Sequence, residues 1–150
     1  MAIIKQIVGT RTALTVTGLS TLASATYVTS NTYNCNTSQP MDVVIEVNAA
    51  TTNIPASNQQ VVVFIKESLD GTNFRSGPGS GTFADEESQL RLLGFVPVRT
   101  QGGAAAIGMF SILQSLGFVP LQFKIVLKND LGVALTSAAV FTAEISNTVA

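Results

Sequence analysis

The chain has 150 residues, with 8 Lys and Arg against 9 Asp and Glu, no histidine, no tryptophan and one cysteine. Without histidine no Ser–His or Cys–His nucleophile can be assembled, and the usual acid–base group near neutral pH is missing. A single cysteine excludes an internal disulfide, and a net charge of −1 with scattered basic residues leaves no footprint for nucleic acid.

A chain of this length suits one domain with a real core. With only 11% charged residues, its polar surface must come from Thr, Ser, Asn and Gln. Ala2–Val8 reads as a strand, Gly9-Thr10 as a turn, and Thr12–Thr17 alternates small polar with apolar residues. Residues 18–40 are rich in Ser, Thr and Asn, with a strand expected around Ala25–Thr29. Met41–Val47 and Gln60–Ser68 alternate with period two and flank a polar loop, Asn48–Asn58. Asp70-Gly71 then predicts a hairpin turn.

The Gly77–Gly81 stretch is a loop that Asp85-Glu86-Glu87 extends, with a short helix allowed near Ala84–Leu90. Leu90–Arg99 reads as a strand whose Pro97 suits a sheet edge. The uncharged stretch between Arg99 and Lys124 is long enough for a bilayer. Its glycines, Gln114 and Pro120 instead favour two buried strands joined by a turn. Ala105–Leu113 and Phe118–Lys128 as strands, a turn at Asn129–Gly132 and a last strand within Val133–Ser146 complete the series, with Phe123, Ile125 and Leu127 expected on one buried face. Lys5, Arg11 and Ala23-Ser24-Ala25 imitate a signal peptide, but threonines and serines interrupt its apolar core and none is expected.

Strands this frequent predict an all-β fold: an antiparallel β-sandwich, jelly-roll-like, with an N-terminal extended segment. Residues 1–10 would be an arm or edge strand, and residues 11–150 the single sandwich domain. Leu93-Gly94-Phe95-Val96-Pro97 recurs as Leu116-Gly117-Phe118-Val119-Pro120, which suggests two similar strand entries or sheet edges. Val44, Val62, Phe64 and Val126 occupy positions that should face outward. Either they form an apolar patch for another chain to cover, or their strands are buried on both faces. Ile3, Ile4 and Ile7 are candidate assembly contacts, because an unpaired apolar strand can add to a neighbouring sheet.

Catalytic constellations fail on inspection. Gly77–Thr82 lacks the lysine of a phosphate-binding loop. Glu67 with Asp70, or Asp85-Glu86-Glu87, read as solvated surface rather than a glycosidase pair or calcium loop. Cys35 reads as a bystander in a polar loop. No catalytic residue, metal site or cofactor is expected, and neither an enzyme, a nucleic-acid binder nor a membrane protein.

Several stretches in order carry a resemblance: Ser20–Tyr27 before an Asn-rich segment, Asp42–Val47, Val61–Ile65, Ser68–Phe74, Leu92–Pro97 and Phe123–Leu135. The series is similar to small structural proteins of tailed bacteriophages. This resemblance implies a β-sandwich in the virion, with a capsid decoration or cement protein as the leading expectation. Its partners would be the major capsid protein and copies of itself, on the outer head surface. The alternatives are a tail-fibre or tail-associated jelly-roll module binding host surface sugar, and a tail-tube or connector subunit whose channel loop would be residues 75–88.

Overall fold

The computed structural model describes residues 4–56, 58–82, 85–99 and 102–149. Among the described residues ten strands form two antiparallel sheets packed face to face. In chain order they are β1 (Ile4–Val8), β2 (Thr12–Leu14), β3 (Tyr27–Thr29), β4 (Tyr33–Asn34), β5 (Asp42–Ala50), β6 (Gln60–Ser68), β7 (Arg91–Pro97), β8 (Ala106–Ser111), β9 (Gln122–Asp130) and β10 (Ser137–Val149). One sheet runs β1–β10–β5–β8 with β2 also on β10; the other runs β3–β9–β6–β7 with β4 also on β9. We call them sheet A and sheet B.

β1 and β2 lie end to end along β10. The register advances four residues from Val8 to Thr12 but three from Ile145 to Thr142, so one extra residue bulges out between them. The Gly9 amide, donating to the Glu144 carbonyl at 2.7 Å, keeps the bulge attached. β3 and β4 repeat the arrangement along β9, with Thr29 opposite Val126 and Tyr33 opposite Phe123. Counting each bulged pair as one strand, the first pairs with the last, the second with the second-last, and so inward to β6 with β7. Pairings of β10 with β5 and of β9 with β6 join these nested pairs into two sheets. That is a jelly roll, as the strand pattern predicted.

Period-two alternation builds the core. Val43, Ile45 and Val47 from β5 meet Val61, Val63 and Ile65 from β6, and Phe123, Ile125 and Leu127 from β9 close the layer. All are fully buried, and each such side chain is worth about 1.5–3 kcal/mol relative to exposure. Where β7 meets β8 the sheets pinch together. A Cβ on Gly94 would sit 2.5 Å from a ring carbon of Phe110, so only glycine admits that ring.

Four expectations are corrected. The Asp70-Gly71 turn forms, with the Asp70 carboxylate accepting from the amides of Thr72 and Asn73 at 2.8 and 2.7 Å, but among the described residues the next strand begins only at Arg91. The partner that hairpins with β6 is β7, and the intervening chain crosses the outer face of sheet B. The strand expected over Ala105–Leu113 forms as β8, but no simple turn joins it to β9: β8 runs straight into a short helix, α1 (Ile112–Leu116). Ser111 caps it by accepting from the Gln114 amide at 3.0 Å, and Gly117 ends it in the left-handed region at φ 81°. The repeated pentapeptide therefore takes two structures, β7 and a helix terminus. Finally, the short helix near Ala84–Leu90 is one 3-10 turn over Glu87–Gln89, with Ala84 itself outside the described residues. A run holding Asp85-Glu86-Glu87 and lacking an apolar helical stripe has nothing to sustain further turns.

Candidate assembly surface

The two outer faces of the sandwich differ in what covers them. On sheet B the outward row of β6, Val62 and Phe64, joins Val126, Tyr27 and Leu90 in a second small core. Its cover is the segment following β6, which folds back as a strap. The Tyr27 amide donates to the Gly81 carbonyl at 2.8 Å and the Thr29 hydroxyl to the Gly79 carbonyl at 2.6 Å. Lys66 donates to the Gly77 carbonyl. Farther along, the Glu87 carboxylate accepts from the Tyr27 hydroxyl and, at 2.6 Å, from Lys128. Burial by itself would raise the Glu87 carboxyl, but those donors hold it below the ordinary range. Lys128 moves the other way: burial lowers it, and the hydrogen bond and charge of Glu87 more than reverse this.

Sheet A has no such strap among the described residues. Register places Val8 and Ile145, Phe141 and Glu46, Val44 and Ala143, and Met109 with Glu46 on its outer side. Ile4, Val8, Ile107 and Met109 are 67, 67, 58 and 66% exposed, far more than core residues of the same types. Val8, Val44, Met109, Phe141 and Ile145 surround a shallow depression of about 240 Å³. Arg11 spans this apolar ground. It grips the Glu46 carboxylate with two hydrogen bonds, of 2.9 and 2.7 Å, while its guanidinium lies 3.2 Å over the Phe141 ring. The shared hydrogen bonds raise the Arg11 pKa and lower that of Glu46, so both stay charged and cancel locally.

Of the four residues expected to face outward, Val62, Phe64 and Val126 are covered by the strap, and Val44 stays on the open face. Burial on both faces therefore holds for the three residues of sheet B, and Val44 of sheet A has no strap above it among the described residues. Of the assembly candidates, Ile3 lies outside the described residues. Ile4 shares the outer face with Val8, whereas Ile7 points to the opposite side of the strand. All five residues of β1 pair with β10 of the same chain, so Ile4–Val8 is an edge strand here. The register of β5 ends at Ile145, so β1 and residues 146–149 of β10 continue past it as a two-stranded ribbon.

Of the acids weighed as chemistry, Glu67, Asp70 and Glu87 have structural partners. Glu67 pairs with Arg75 at 2.6 Å, and Asp70 organises its turn, whose backbone donors hold its carboxyl well below the usual range. Asp85 and Glu86 are exposed. Cys35 is buried within the main core rather than in a solvated loop, and burial, with the charge of Glu144 second, pushes its thiol up to about 11. Among the described residues there is no group of three or more His, Cys, Asp or Glu side chains placed to hold a metal ion, and no helix long and apolar enough to cross a membrane.

No family model and no curated protein matches the chain. Sequence reading missed Ile107, Met109 and the Arg11–Glu46 pair. The alternation Ile107-Gly108-Met109-Phe110 was legible, but both of its rows are apolar, so the outward one carries no polar signature. Arg11 and Glu46 are distant in sequence, and only the pairing of both strands with β10 brings them together.

Proposed function

We propose that the chain is a virion structural protein of a tailed bacteriophage, a decoration or cement protein bound to the outer head shell. The observation that carries this reading is the asymmetry of the sandwich. One outer face has its centre, Val62, Phe64 and Val126, covered by the chain's own strap, with Leu92 and Phe95 of β7 left exposed at its edge, while the other has no strap and no unpaired charge among the described residues. Exposed apolar area of that kind suits permanent contact with other protein. In this role the domain stabilises by packing, against the major capsid protein and against copies of itself, and has no chemical step. The protruding ribbon with Ile4 and Ile7 offers a second contact, through its apolar side chains and through the outer edge of β1. A tail-tube subunit is less well supported, because residues 75–82 and 85–88 include the strap contacts rather than forming a free channel loop.

Co-sedimentation tests the proposal. The purified protein is mixed with heads assembled from the major capsid protein of the same genome, and separately with tails. Saturable binding to heads at a fixed ratio to capsid subunits is expected. Binding to tails alone would move the chain to the tail, and binding to neither would remove the virion role.

A further inference from the structure

We propose that the outer face of sheet A is a homotypic interface: two copies of this chain pack these faces together, sheet on sheet, across a two-fold axis. The inference rests on the isolated chain and holds whether or not the protein sits on a phage head.

Size is the first argument. Four strand positions at about 4.8 Å spacing, and β10 from Ala139 to Asn147 at about 3.3 Å per residue, give a face with a projected area of roughly 500 Å². Side-chain relief makes its accessible area larger, and a stable protein interface takes about 600–1,000 Å² from each partner. A single peptide strand would span only about 4.8 Å of that width and leave most of the exposed apolar side chains in water. A second sheet, stacking at about 10 Å, covers all of it.

Charge is the second. A partner of opposite charge would need a counter-charge on this face, and none is free among the described residues. Arg11 and Glu46 neutralise each other within one chain. Asp42 is buried at the end of the face, where it accepts from Ser111 and from the amides of Val43 and Leu113. Lys5 falls in the other row of β1, opposite Thr148. A two-fold axis sets each such group against the same face of the partner. A face carrying net charge would then repel itself, and this one does not.

The third argument is the fate of the opposite outer face. The same chain covers the outward residues of β6 and β9 on sheet B with its own strap, and leaves Leu92 and Phe95 of β7 exposed at the edge. Sheet A has no such cover among the described residues, and its own copy is the partner always present at matching concentration.

Sedimentation velocity on the full chain from about 0.1 to 100 μM tests this, since interfaces of this size span micromolar to picomolar affinity. A closed dimer is expected. Met109→Lys should weaken it by tenfold or more while leaving the melting temperature of the monomer unchanged, because the side chain is already mostly in water. Ile107→Lys serves as a second variant if that one misfolds, and Met109→Leu should preserve the dimer. Ser80→Lys, on the strap, should have no effect. A wild-type chain that stays monomeric throughout, an assembly larger than a dimer, or a dimer indifferent to both lysine substitutions overturns the inference. None of those results bears on head binding, which is read on shells.

Discussion

Asp42 shows how much one buried carboxylate organises. It begins β5, accepts from its neighbour Val43 at 2.7 Å, and reaches across to the Leu113 amide at 2.8 Å and the Ser111 hydroxyl at 2.5 Å. Those contacts pin the start of α1 to the end of sheet A, where Ser111 is also the helix cap. Asp42→Ala leaves buried donors without an acceptor, and we expect a loss of about 1–3 kcal/mol in chemical denaturation at unchanged slope. Asp42→Asn, which keeps one acceptor oxygen, should lose less. A loss near zero for the alanine variant would mean that water replaces the carboxylate. The two glycines of the repeated pentapeptide make the complementary point. Gly94 is required by the ring of Phe110 and Gly117 by a left-handed backbone, so identical letters answer different physical demands.

At the scale of elements, the strap is the most condition-sensitive part of the fold. Its latch joins Glu87, Tyr27 and Lys128, and two of the three titrate in opposite directions. Glu87 binds its proton less readily in the folded chain, so its contribution is complete above the ordinary value of 4.5 and is lost as pH falls through the lowered one. Lys128 holds its proton more tightly, so its contribution is complete below 10.5 and is lost as pH rises through the raised value. The Tyr27 hydroxyl is raised too, by burial first and then by Glu87, so its contribution is complete below 10.0 and the latch is fully formed between 4.5 and 10.0. Acidification should increase hydrogen exchange at the Tyr27 amide, which the strap carbonyl of Gly81 protects, before the β6–β9 amides respond. Glu87→Gln should show the faster exchange already at neutral pH and little further change on acidification. If both proteins respond to acid alike, other carboxylates control the strap.

For the whole molecule, the nested pairing makes almost every strand contact long-range, with the first strand on the last. Such a topology folds slowly, because chain closure precedes most of the stabilising contacts. It also makes the ends unequal in importance. β2 and residues 140–142 of β10 lie over the body of the sandwich, whereas β1 is exposed along its whole length. Deleting residues 1–8 should therefore leave a cooperative fold, with a melting temperature lower by a few degrees, as about 1 kcal/mol implies for a domain of this size. It should also weaken self-association, since Ile4 and Val8 leave the sheet A face with it. Loss of the cooperative transition would show instead that the ribbon completes the sandwich.

What the sequence determined was the repertoire of strands and their inner faces. Val43, Ile45 and Val47, or Phe123, Ile125 and Leu127, alternate with period two, and that spacing alone commits one row to a core. Turn chemistry at Asp70-Gly71 and the edge character of Pro97 were equally local and equally legible. The outward rows were not, because an apolar residue on the outside of a strand reads the same whether a strap, another subunit or water lies above it. Only the tertiary structure separated Val62, Phe64 and Val126 beneath the strap from Val44 on the open face. It also decided the strand order, the helix after β8 and the meeting of Arg11 with Glu46. Each depends on residues far apart in the chain, which local propensity and period cannot encode.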